Sequence, residues 1–441
     1  MEVVNIMATF FVCDMSVIEQ IYQHYTKRHL ISTDSRTIEK DCVFVAIKGE
    51  RFDGNDFAYQ VATDGIASCV IADRKDLPHH ERLFIVDDSI SALQQLARLH
   101  RERCKTPIIG ITGTNGKTTT KELTSAVLSK KYNIIYTQGN FNNHIGVPLT
   151  LLRIKPDTEM AVVEMGANHI NEIAQLCSIA QPNFGVITNI GKAHIEGFGS
   201  FEGVVKTKNE LYEYLRAHDG KIFVNYDNTL LRELSKDLVC YSYGKDNNAD
   251  VSAEVSSSDP YLIIRWNEKE VKTNLIGEYN FENVMAAISI GAYFKVDEQQ
   301  IIEAIENYYP TNNRSQYIKT DKNEVVMDAY NANPVSMSNA IRNFRKICGN
   351  KALLILGDMK ELGKESENEH LIIINLIKDL NFKEVLLVGE ELCKADSQNS
   401  FYHFNKVEDV IEFISSNEIQ DRKILVKGSN SIHLEKLKNI L

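Results

Sequence analysis

Apolar residues fall in short runs along this chain, broken by Gly, Asp and Pro, and their spacing divides it into three stretches. In the first, runs at 42–47, 68–71 and 83–86 read as strands, and the pattern over 89–103 predicts a helix. Ser16-Val17-Ile18-Glu19 has the form of a capping box, which predicts an earlier helix running to about Lys27. From Thr106 the pattern becomes strand, glycine loop, helix, repeated, with apolar runs at 107–112, 160–163, 184–188 and 221–224. Such runs between helices imply a mostly parallel sheet covered on both faces. Tyr309-Pro310-Thr311-Asn312-Asn313 breaks both periodicities and predicts a linker. Beyond it, runs at 324–327, 352–356, 384–388 and 423–426 predict a second doubly wound unit. The expected architecture is α/β with domains at 1–103, 104–311 and 312–441, without internal repeats.

Composition narrows the class. With 441 residues, 43% hydrophobic and 25% charged, the chain suits several packed domains and excludes disorder and collagen-like structure. The net charge of −11 disfavours nucleic acid and anionic membranes as partners, but leaves room for a local basic pocket that takes a small anion. No apolar run approaches the roughly 20 residues that span a bilayer, and Met1-Glu2-Val3-Val4 lacks a basic signal-peptide start, so the expectation is a cytoplasmic chain without membrane insertion. Eight cysteines, at 13, 42, 69, 104, 177, 240, 348 and 393, have no zinc-site spacing and read as reduced, buried, small apolar residues.

The sharpest chemical signal is Gly110-Ile-Thr-Gly113-Thr114-Asn115-Gly116-Lys117-Thr118-Thr119, set between an apolar strand and a helix. Backbone N–H groups of such a loop cradle phosphate oxygens, Lys117 reaches the outer phosphates, and Thr118 can ligate Mg²⁺. Ile111 stands where the usual motif has its first glycine. The competing reading is a glycine-rich turn with a chance Lys-Thr. Glu164 closes an apolar strand, where it suits either a metal carboxylate or a surface charge. His194 follows another strand end and by itself reads as structural; Lys208 by composition is a solvated helical lysine. Asn280 and Asn283 could read an adenine edge or, for Asn280, cap the apolar helix that follows.

The phosphate loop followed by Gly139-Asn140-Phe141-Asn142-Asn143-His144-Ile145-Gly146-Val147-Pro148 resembles the ATP-dependent Mur ligases of peptidoglycan synthesis. The resemblance extends through Val163-Glu164-Met165-Gly166-Ala167, residues 193–200, residues 277–283 and Asp328-Ala329-Tyr330-Asn331-Ala332-Asn333-Pro334. Within the family, that last run, Leu356-Gly357-Asp358-Met359-Lys360-Glu361-Leu362-Gly363 and Lys427-Gly428-Ser429 are similar to the branch that adds D-alanyl-D-alanine. The resemblance implies a small N-terminal α/β domain, a central P-loop ATPase-like parallel sheet and a C-terminal Rossmann-like domain. It implies ATP bound by residues 113–119, Asn280, Asn283 and Asp328, the last at the ribose. It also implies two Mg²⁺ held by Thr118, Glu164, His194 and a CO₂-derived carbamate on Lys208, with Arg314 reaching the γ-phosphate. Ser35, Arg36, Asn142, Asn143, Tyr330, Asn331 and Asn333 are the implied substrate contacts. Tyr279 and Asn55 stand where the family often has His.

The implied reaction joins D-alanyl-D-alanine to UDP-N-acetylmuramoyl-tripeptide through an acyl phosphate, by a monomer. Its rivals are a sister ligase, folylpolyglutamate synthetase, or a nucleotide-dependent regulatory module that makes no amide.

Overall fold

A computed structural model describes residues 15–193, 195–311 and 314–441. The described chain forms two compact units, both discontinuous: one holds residues up to 110 with 132–166 and 172–184, the other 111–131, 167–171 and 185–441.

The first unit contains a four-stranded, all-parallel sheet in the order Ile31–Ser32, Val43–Val45, Cys69–Ala72, Leu83–Ile85. Its opening helix, described from Met15, ends at Tyr25, short of the expected end near Lys27, and the side chain of Ser16, the expected cap, lies outside the described residues. Burial sets this element: Ile18, Ile21, Tyr22 and Tyr25 recur at helical spacing and are buried. The helix Ser89–Arg103 falls where the pattern predicts, capped by Asp88, whose carboxylate accepts from Ser91 N–H at 2.5 Å. Its His100 is buried, with Tyr22 Oη 3.1 Å from Nδ1 and Ile154 O 2.9 Å from Nε2. That burial holds the imidazole below its ordinary pKa. The strands Ile134–Tyr136 and Met160–Glu164 pair in parallel, the second buried throughout.

In the second unit Lys221–Asn225, Val239–Gly244 and Val251–Ser252 are parallel neighbours. An antiparallel sheet absent from the sequence reading follows: Glu254–Ser257, Tyr261–Trp266, Lys269–Ile276. The last six-stranded sheet has the order Gln316–Lys319, Glu324–Asp328, Lys423–Lys427, Ala352–Gly357, Val385–Val388, Tyr402–Phe404, parallel except for its first pair. Its two edge strands were not expected. The apolar faces of Pro334–Ile347 and Ser366–Asp379 pack on one side of it and Val407–Asn417 on the other, the doubly wound plan.

The fold is therefore α/β with parallel sheets, as expected. Among the described residues no helix is long and apolar enough to cross a membrane. Cys42, Cys69, Cys177 and Cys348 are buried, Cys104 and Cys393 partly so, but Cys240 is exposed. It is the second residue of Val239–Gly244, a strand whose first two residues face solvent, contrary to the expectation that all cysteines are interior; Cys13 lies outside the described residues.

Candidate nucleotide and ligase site

The strand Ile108–Thr112 is buried along its whole length, so the chain stays in the sheet past Ile111 and bends only at Gly113. This explains the shifted first glycine. Gly113 (φ +142°) and Gly116 (φ +80°) then turn the backbone into the helix Lys117–Leu128. A Cβ on Gly113 would stand 2.0 Å from Thr188 Oγ1, and one on Gly116 would stand 2.2 Å from Asn283 Oδ1, so both positions require glycine. Neutral hydrogen bonds hold the loop. Thr114 N–H donates to Asn189 O and Asn115 N–H to Asn189 Oδ1, both at 2.9 Å, and Thr188 Oγ1 donates to Asn115 O at 2.6 Å. Lys117 Nζ donates to Gly113 O at 2.8 Å and Thr114 O at 3.1 Å, curling the cation along the loop. Thr118 is buried in the first turn, beside a half-buried Thr119.

Behind the loop, Thr120 Oγ1 donates to Asn283 Oδ1 at 3.1 Å, Asn283 Nδ2 to Asn280 Oδ1 at 2.9 Å, and Asn280 Nδ2 to Ile276 O at 2.8 Å. Each amide thus spends a donor and an acceptor within the protein. Asn280 occupies the N-cap position of Phe281–Tyr293, but its side chain makes no capping bond. Tyr279 Oη lies 2.9 Å from Ser315 Oγ, and burial pushes the phenol well above its ordinary pKa.

The segment 328–334 meets the phosphate loop directly, Asn333 Nδ2 donating to Asn115 Oδ1 at 2.7 Å. Asn333 also caps the helix Pro334–Ile347, accepting from Ser336 N–H at 2.9 Å, with Pro334 at the first helical position. The Arg314 guanidinium lies over the Tyr330 ring, 3.7 Å from its centroid. Asp328 accepts from Ser315 N–H at 3.0 Å and from Lys427 Nζ at 2.6 Å, while Asn331 O takes a second Lys427 bond at 3.2 Å. Asp328 is therefore a paired carboxylate and not the isolated surface charge that its type alone suggests. In the sequence Lys427 is marked only as the first residue of Lys427-Gly428-Ser429, and that motif is its available signal. The same motif meets Gly357-Asp358-Met359-Lys360, Ser429 N–H donating to Asp358 O at 3.1 Å and Lys360 N–H to Ser429 Oγ at 3.0 Å.

Lys208, in the helix Phe201–Ala217, is only 2% exposed, with its ammonium 5.3 Å from the Phe198 ring centroid. This overturns the solvated lysine that composition suggests; Lys206 is the exposed one. His194 lies outside the described residues.

The remaining candidates belong to the first unit. Glu164 ends its strand buried, its Oε1 accepting from Asn142 Nδ2 at 2.8 Å. Asn143 turns inward on its own backbone, its Oδ1 accepting from Ile145 and Gly146 N–H at 3.1 and 2.9 Å. Ser35 is half-buried; Arg36 is exposed and donates to both Asp34 oxygens, at 2.8 and 2.7 Å. Among the described residues no three His, Cys, Asp or Glu side chains gather as a metal site.

Models of the Mur ligase family match three segments: the catalytic domain at 27–101, the middle domain at 111–291 and the glutamate ligase domain at 313–430. The UDP-N-acetylmuramoyl-tripeptide--D-alanyl-D-alanine ligase of Bacillus subtilis is 35% identical, over 93% of this chain and 92% of its own. The crystal structure of MurF from Acinetobacter baumannii superposes with a TM-score of 0.83 at 31% identity, covering 96% and 97% of the two chains. MurF ligase from Thermotoga maritima, solved in complex with ADP, gives 0.80 at 26% identity over 93% and 96%. With a phosphate loop in place and relatives alike over nearly the full length, the chain belongs to the Mur ligase family.

Proposed function

We propose that this chain joins D-alanyl-D-alanine to UDP-N-acetylmuramoyl-tripeptide with ATP, giving the UDP-pentapeptide precursor of peptidoglycan, ADP and phosphate. The observation that carries the reading is the Asn333–Asn115 bond, which sets the segment beneath Arg314 against a glycine-shaped phosphate loop. The domain division 1–103, 104–311 and 312–441 is part of the proposal, and each matched family segment falls inside one of these intervals.

A carboxylate is a poor acyl donor. In the proposed reaction the tripeptide's terminal carboxylate oxygen attacks the γ-phosphorus, the bond to the β–γ bridging oxygen breaks, and ADP leaves. The dipeptide amine then attacks the acyl carbon, and the tetrahedral intermediate expels phosphate as the amine gives up a proton. Lys117 and Arg314 neutralise the charge on the transferred group, and the loop's N–H groups orient it. Asn280, Asn283 and Asp328 hold the nucleoside; Ser35, Arg36, Asn142 and Asn143 hold the UDP acceptor; Tyr330, Asn331 and Asn333 face the dipeptide. Thr118 and Glu164 offer buried hard oxygens, a donor type that fits Mg²⁺, with His194 and a carbamylated Lys208 completing the set for two ions. Bound there, Mg²⁺ would supply charge neutralisation between the converging anions. A lysine at 2% exposure fits carbamylation, which replaces a buried cation by an anion with two hard oxygens. We place the enzyme in the cytoplasm as a monomer.

Phosphate release is the test, measured with each UDP-tripeptide in turn and with or without D-alanyl-D-alanine. Release that depends on the dipeptide supports the ligase; release or retention of ATP regardless of it supports a nucleotide switch. Lys208→Ala is expected to be nearly inactive and partly rescued by a short-chain carboxylate, whereas Lys206→Ala keeps its activity. Full activity of Lys208→Ala without added acid would sink the carbamate.

A further inference from the structure

Lys427 ends the strand Lys423–Lys427 and is 2% exposed. A lysine is rarely buried this deeply, and an apolar side chain of similar length would fill the same core without the cost of desolvating an ammonium. Its two acceptors explain what the charge does. Nζ lies 2.6 Å from Asp328 Oδ2 and 3.2 Å from Asn331 O, so one cation pins both ends of Asp328-Ala329-Tyr330-Asn331. The other Asp328 oxygen accepts from Ser315 N–H at 3.0 Å, fixing the backbone next to Arg314. Between the two pins stands Tyr330, the ring over which the Arg314 guanidinium lies at 3.7 Å. Backbone and platform of Arg314 are thus set by the same buried pair.

We infer that Lys427 is a positioning residue for Arg314: through Asp328, Asn331 and Tyr330 it fixes where the guanidinium points, and it does not itself touch the reacting groups. The inference rests on the reading of Arg314 as the γ-phosphate contact. Misplacing a charge by about 1 Å costs on the order of 10²-fold in turnover, so Lys427→Met is expected to lower kcat by about that factor. KM for the UDP-acceptor should stay within about 2-fold, since the residues assigned to it all lie outside 312–441, the domain that holds Lys427.

A double-mutant cycle on kcat with Lys427→Met and Arg314→Ala in the full chain tests it. If Lys427 acts through Arg314, the second substitution adds little to the first. Losses that multiply in full overturn the inference and leave Arg314's role standing. Normal turnover of Arg314→Ala alone removes that role and the inference with it. Should Lys427→Met fail to fold, Lys427→Arg takes its place in the same cycle. It keeps the buried charge but cannot put one point donor between a carboxylate and a carbonyl, and the same non-additivity is expected.

Discussion

The phosphate loop and the segment 328–334 touch through Asn115 and Asn333, yet different forces shape them. The loop owes its form to two glycines at positive φ and to neutral hydrogen bonds with Thr188 and Asn189. The segment owes its form to an ammonium–carboxylate pair whose lysine stands 99 positions further along the chain. A conformation written in glycines survives changes in its charged residues, whereas one hung on a buried pair does not. In the loop, then, chemistry and shape should separate under mutation, and in the segment they should fail together.

Lys117→Ala probes this with the largest expected effect. Removing the loop's cation should cost turnover on the order of 10²-fold or more, with the melting temperature close to that of the parent because the glycines keep the shape. A large fall in thermal stability would break the comparison. Smaller effects follow from the shape itself. Gly116→Ala forces a side chain into the left-handed region and against the Asn283 amide, at about 1–2 kcal/mol from the backbone alone. About a 10-fold loss of ADP affinity by calorimetry is expected, and unchanged affinity would show that the loop does not need its glycine. The smallest effect is on stability, where Asn333→Ala should cost about 1 kcal/mol from the lost helix cap, read from the urea midpoint. A loss several times larger would mean that the Asn115 contact carries more than one neutral hydrogen bond.

The same contrast explains what could be read in the sequence. Gly113, Gly116 and Lys117 are neighbours, so strand, turn and helix were legible from a dozen residues, and the parallel sheets from their doubly apolar runs. Lys427 was not legible as a partner of Asp328, because an ion pair across a parallel sheet leaves no local periodicity. The burial of Lys208 was hidden for a similar reason: on one helix it and Lys206 look alike, and only packing separates them. The antiparallel sheet is a different case. Tyr261–Trp266 alternates buried and outward residues, and Asn267-Glu268, both at positive φ, makes the hairpin turn, so this sheet does leave a local signal in the sequence.

The interleaved division of the chain has a consequence for how the protein is made. The polypeptide enters and leaves the first unit repeatedly, and its final segment there ends at residue 184. A ribosome delivers residues in order, so the N-terminal sheet emerges early, but its unit stays incomplete until nearly two hundred residues are out. By then the phosphate-loop helix, Lys117–Leu128, has also emerged, although most of the second unit that receives it is still unmade. Nascent chains halted between residues 131 and 184 therefore carry pieces of both units and neither one whole, which makes this interval the stretch of synthesis most dependent on protection from aggregation.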